Sequence, residues 1–133
     1  MSQNAINAYR KSRATTATPA QLIGMLYDAL LVSLQRASEA LEEGRRVPAT
    51  EQLVRSQRLV TELRCSLNFE AGELSRNLDN IYEYVWKQLV AANVSRNAEL
   101  VASCITLIAP LRRAWAEACL GEVSPVHTQR LSA

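Results

Sequence analysis

A chain of 133 residues has the length of one domain, and 48% hydrophobic against 21% charged residues gives it a core and excludes a disordered chain. A net charge of +2 is too small to carry a nucleic-acid surface. No signal-peptide core and no run of about 18 apolar residues appears, so membrane insertion is excluded from the reading. Three cysteines without a CxxC pair fit reduced thiols in the cytoplasm rather than a disulfide framework. Four Gly, four Pro and no strand-like alternation point to helices.

Residues 1–17 read as a leader. Its basic cluster, Arg10, Lys11 and Arg13, lacks nearby acids and fits a solvated arm, a presequence or a phosphate-binding arm. Ile6 and Tyr9 are three apart and would share one helical face. The first long helix is predicted to begin at Thr18. Thr18-Pro19-Ala20-Gln21 has the form of a capping box with proline at the first helical position. Gly44 is its natural stop. Leu22, Ile23, Leu26, Leu30, Leu34, Ala37 and Leu41 form its core stripe, with Tyr27 on the edge.

A second helix is expected over about 48–67, with Leu53, Val60, Leu63 and Leu67 inward, and a break over 68–72. A third is expected over about 73–94, with Leu74, Leu78, Ile81, Tyr82, Val85, Leu89 and Ala92 inward. A fourth is expected over about 97–121, with Leu100, Cys104, Leu107, Ile108, Leu111, Trp115 and Ala118 inward. Pro110 falls on the polar side of that helix, where a freed carbonyl can be hydrated, so a bend is expected rather than a break. Residues 122–133 read as a flexible tail. Helices of such length with short connections form an antiparallel, up-down-up-down four-helix bundle over 18–121.

The inventory for catalysis is missing. The only histidine, His127, lies in the tail, so neither a di-iron site nor a Cys–His pair can be built on the bundle. No phosphate-binding glycine loop is present. No enzyme, no metal and no cofactor is expected. What remains is surplus apolar surface. Met25, Ala29 and Val32 lie off the core stripe of the first helix, with Leu31 on the other shoulder. The later helices repeat the pattern with Val54, Thr61 and Cys65, with Tyr84, Trp86 and Val90, and with Val101, Ile105 and Cys119. Periodicity alone leaves two readings open: helices buried on more than one side, or grooves that take the apolar faces of a partner's helices.

Four stretches occur in order: "IxxY" in the leader, "TATPAQLIGMLYDALL", "SLNFEAGELSRNLDNIYEYVWKQLVAANVSRN" and "LRRAW". Together, over roughly residues 5–117, they resemble the flagellar secretion chaperone family FliS. The resemblance implies an antiparallel helical bundle in the bacterial cytosol. It implies binding of the disordered C-terminal region of flagellin in hydrophobic grooves, which prevents premature polymerisation, and delivery to a component of the flagellar export gate. It implies a leader that covers part of the client site, with Ile6 and Tyr9 as its anchors. The matching positions with spare apolar surface are Ile23, Met25, Tyr27 and Leu31. Two departures stand out, Pro110 within the last helix and the strongly basic "YRKSRATTA" leader. A different class remains as the alternative: a bundle adaptor that self-associates as a homodimer through the same ridges.

Overall fold

The computed structural model describes residues 17–121 and 125–127. Helix α1 spans Pro19–Glu42, and its start is the predicted capping box. The Gln21 amide donates to Thr18 Oγ1 at 3.1 Å, and the Thr18 amide donates back to Gln21 Oε1 at 2.9 Å. These bonds satisfy donors that the first helical turn leaves without partners. The C-terminus is a Schellman closure. Gly44 adopts φ +69°, its amide reaches the Leu41 carbonyl at 3.2 Å, and the Arg45 amide reaches the Ala40 carbonyl at 2.9 Å.

Helix α2 spans Arg46–Cys65 and starts two residues before Pro48. A proline in the first turn removes no intrahelical bond, so the helix need not wait for it. A 3₁₀ turn, Phe69–Ala71, occupies the expected break, and Gly72 at φ +97° redirects the chain into α3, Glu73–Ser95. Arg96 ends α3 in the left-handed region at φ 56°, an unfavourable place for a side chain. Its guanidinium holds it there by donating to Thr50 Oγ1 at 2.8 Å on α2. Helix α4 spans Ala98–Gly121 and continues through Pro110. Pro110 and Thr106, whose carbonyl loses its amide partner, are both exposed, so water can take the vacated position.

Each helix packs on its neighbours in sequence, and α4 returns against α1, which closes a four-helix ring. The antiparallel sense is visible at its ends: Trp115 Nε1, late in α4, donates to the Ala20 carbonyl, early in α1, at 2.9 Å. Leu30 and Leu34 of α1, Leu53, Val60 and Leu63 of α2, Tyr82, Val85 and Leu89 of α3, and Cys104 and Ile108 of α4 fill the interior with no more than a trace of exposure. The close α1–α2 contact carries two buried hydroxyls, both satisfied. Ser56 Oγ donates to Ser33 Oγ at 3.0 Å, and Ser33 Oγ lies 2.9 Å from the Gln52 carbonyl it donates to. Arg64 of α2 clamps Asp79 of α3 through two bonds, 2.7 and 3.3 Å, close to the α2–α3 turn.

Three expectations are corrected. Leu74 is exposed, because Ser75 takes the inward place in the first turn of α3 and its hydroxyl donates to the Asn68 carbonyl at 2.7 Å. Leu107 and Ala118 also face outward, while Val101, assigned to the surplus ridge, is fully buried; the inward stripe of α4 is rotated towards Val101, Cys104, Ile108 and Trp115. The stretch after α4 is not loose where it is described: Pro125–His127 forms a 3₁₀ turn against the bundle, with Val126 and His127 buried.

Candidate docking surface

Helix α3 is buried along one stripe and apolar well beyond it. Leu74, Tyr84, Trp86, Val90 and Val94 all stand exposed on it, more large hydrophobic side chains than on any other helix. Two of them face grooves on opposite sides. Between α2 and α3 a groove of about 410 Å³ is lined by Val54, Gln57, Arg58, Thr61, Glu62 and Trp86. Between α3 and α4 a second, of about 490 Å³, is lined by Asn80, Ile81, Tyr84, Ser103, Thr106 and Leu107. The spacing explains the division. Tyr84 and Trp86 are two residues apart, about 200° around the helix, so one core stripe passes between them.

The chemistry of the two grooves differs. The α2–α3 groove sets Val54 and Trp86 beside the charged pair of side chains Arg58 and Glu62. The α3–α4 groove contains no ionisable side chain except the Tyr84 phenol, whose oxygen accepts from Gln88 Nε2 at 2.9 Å. Lys87 and Glu83, 3.0 Å apart one turn from each other, sit on the crest between them. Such a surface offers apolar anchoring sites with polar rims. Among the described residues no group of three His, Cys, Asp or Glu side chains converges as a metal site. Burial pushes the Cys104 thiol up to about 12, so it is an inert core thiol rather than a nucleophile.

The residues named from the sequence divide. Ile23 and Tyr27 are core residues, 0% and 2% exposed, and the expectation that they line a groove is corrected. Inside, the Tyr27 hydroxyl is hydrogen-bonded to that of Tyr82, and burial raises its phenol to about 12. Met25 and Leu31 keep part of their surface open, although Leu31 also packs on the core. Ile6 and Tyr9 lie outside the described residues. Residues lining the grooves were present in the sequence as the surplus ridges Val54 and Thr61 of α2 and Tyr84 and Trp86 of α3. No periodicity distinguished those from Val101, which the structure buries.

A bundle with open apolar flanks on one helix is compatible with many binding proteins. The deciding observation is that the sequence pattern of the family described as flagellar protein FliS matches residues 2–122. This chain belongs to the FliS family. It is 31% identical over 125 residues to the flagellar secretion chaperone FliS of Bacillus subtilis (strain 168), covering 94% of this chain and 93% of that protein. It is 32% identical over 107 residues to the flagellar secretion chaperone FliS of Salmonella typhimurium, covering 79% of each. The FliS of Vibrio cholerae is 25% identical over 118 residues, 85% of this chain and 87% of its own. All three FliS relatives are named as chaperones, not as enzymes. Among the described residues no helix is long and apolar enough to cross a membrane.

Proposed function

We propose that this FliS-family chain is a non-enzymatic export chaperone of the bacterial cytosol. Its client is the disordered C-terminal region of flagellin, and the client's apolar helical faces dock in the grooves on either side of α3. The observation that carries this reading is the pair of apolar grooves flanking Tyr84 and Trp86, in a chain whose relatives are named flagellar secretion chaperones. Docking shields residues that would otherwise pair with other flagellin chains. The complex is then presented to a component of the flagellar export gate. Ordering a disordered client offsets much of the gain from apolar burial, so the complex forms specifically and can still be released. In this reading Ile6 and Tyr9 of the leader cover part of the surface until the client arrives, and Met25 and Leu31 extend the contact on α1.

Tyr84 is the place to test it. The residue is 51% exposed, which leaves about 100 Å² of its surface for a partner and roughly 2.5 kcal/mol of apolar contact. Tyr84→Glu removes that contact and sets a charge against an apolar face. Titration calorimetry with a peptide of the flagellin C-terminal region is expected to show at least about tenfold weaker binding, with the helical circular-dichroism signal unchanged. A wild-type chain that forms a stable dimer and ignores the peptide would instead establish the self-associating adaptor.

A further inference from the structure

The turn Pro125–His127 closes one end of the bundle. It packs against α1, α3 and the turn Phe69–Ala71. The Asn68 amide donates to the Val126 carbonyl at 2.6 Å. The His127 ring sits among three aromatic rings from three helices: Tyr27 of α1 at 6.3 Å between centroids, Tyr82 of α3 at 5.9 Å and Trp115 of α4 at 5.4 Å. The residue is 1% exposed.

The polar contacts in this pocket do not balance. His127 Nε2 lies 3.1 Å from the Tyr82 hydroxyl, and that hydroxyl is bonded to the one on Tyr27. His127 Nδ1 is buried with no partner. A neutral imidazole and two phenols bring three donors to a chain with only two links. Among the described residues one donor is left without an acceptor however the protons are placed. A protonated ring would bring a fourth donor and a charge into the same enclosure. Among the described residues no carboxylate pairs with the ring, whose one polar contact is the Tyr82 hydroxyl. Tyr27 and Tyr82 face the ring as neutral phenols, both pushed up by burial. The Trp115 indole N–H is already given to Ala20. The charged residues beside the three rings along their helices are engaged elsewhere or face solvent: Asp28 of α1 pairs with Arg112 of α4, Asp79 of α3 with Arg64, and Glu83 of α3 with Lys87, while Arg113 and Glu117 of α4 are exposed. Glu70 of the adjoining turn is exposed.

We propose that Pro125–His127 is a reversible latch, docked while His127 is neutral and released when it is protonated, so that the pocket of Tyr27, Tyr82 and Trp115 opens without unfolding the four helices. Burial lowers the docked His127 from 6.5 to about 4. The released ring therefore binds protons more readily than the docked one. Docking is at full strength above pH 6.5 and weakens as pH falls towards 4, by about 30-fold at pH 5.

Because His127 is the only histidine, its imidazole resonance can be followed without ambiguity in the full, tag-free chain. Nuclear magnetic resonance from pH 8 to 4 is expected to show the imidazole titrating below 6.5. The Asn68 amide and the Trp115 indole should move with the same midpoint while helicity stays constant. His127→Phe should hold the Asn68 amide in its docked position throughout. Val126→Asp should place it in the released position already at pH 8. The latch is overturned if the imidazole titrates without moving Asn68, if His127→Phe shows the wild-type transition, or if helicity is lost at the same midpoint.

Discussion

The Tyr27–Tyr82–His127 chain makes a prediction in which two substitutions are less harmful than one. The two hydroxyls are bonded to each other, and Tyr82 alone continues to His127 Nε2. Tyr82→Phe therefore strands two groups at once, the Tyr27 hydroxyl and His127 Nε2, in a pocket where Tyr27 and His127 are almost fully buried. A stranded buried polar group costs about 1–3 kcal/mol, so Tyr82→Phe should lower the unfolding free energy by about 2–6 kcal/mol. Tyr27→Phe removes the end of the chain, one donor together with one link, and Tyr82 can still donate to His127. Its cost should be within about 1 kcal/mol. Beyond the wild-type chain, which already leaves His127 Nδ1 without a partner, the double variant strands only His127 Nε2, so adding Tyr27→Phe to Tyr82→Phe should restore about 1–3 kcal/mol. Urea unfolding followed by circular dichroism at pH 8, where His127 is neutral, measures all four corners of the cycle. Equal losses for the two single variants, or a double variant equal to their sum, would refute the hydrogen-bond order assigned to the pocket.

The two kinds of glycine should respond in opposite directions. Gly44 sits at φ +69° with open space around it, so Gly44→Ala should lower the unfolding free energy by about 1–2 kcal/mol through backbone strain alone. Gly24 lies inside α1, and an added Cβ would meet Trp115 Cδ1 at an ordinary 3.8 Å, so Gly24→Ala should raise the unfolding free energy by about 0.5–1 kcal/mol. Thr18→Ala removes one half of the capping box and should cost about 1 kcal/mol in a urea melt, while Thr18→Ser keeps the oxygen and should cost much less. In the α2–α3 groove, Val54→Glu should weaken binding of the flagellin C-terminal peptide while changing the unfolding free energy by about 1 kcal/mol, because the side chain lines the open groove and is only partly buried; unchanged affinity would remove that groove from the client path.

Local signals in the chain were enough to write the helices, because each depends on neighbours a few residues apart. Thr18 and Gln21 meet within one turn, Gly44 alone relieves the left-handed stop, and Leu53, Val60 and Leu63 return to one side of α2 by helical periodicity. The surplus ridges were legible for the same reason, and so was the likeness to FliS, which rests on order and spacing along the chain. Which of those ridges is open was decided only when four helices met. Val101 and Tyr84 look alike as off-stripe residues, yet one is sealed and the other is half exposed, because burial depends on what the neighbouring helix places opposite. Tyr27 can lie inside with its hydroxyl satisfied because the Tyr82 hydroxyl, 55 residues away in the chain, meets it there. His127 carried no sign of burial in a segment that reads as tail, and a pocket assembled from α1, α3 and α4 gave it a place. Periodicity fixes the direction in which a side chain leaves its own helix; only the packed bundle determines whether water or protein lies in that direction.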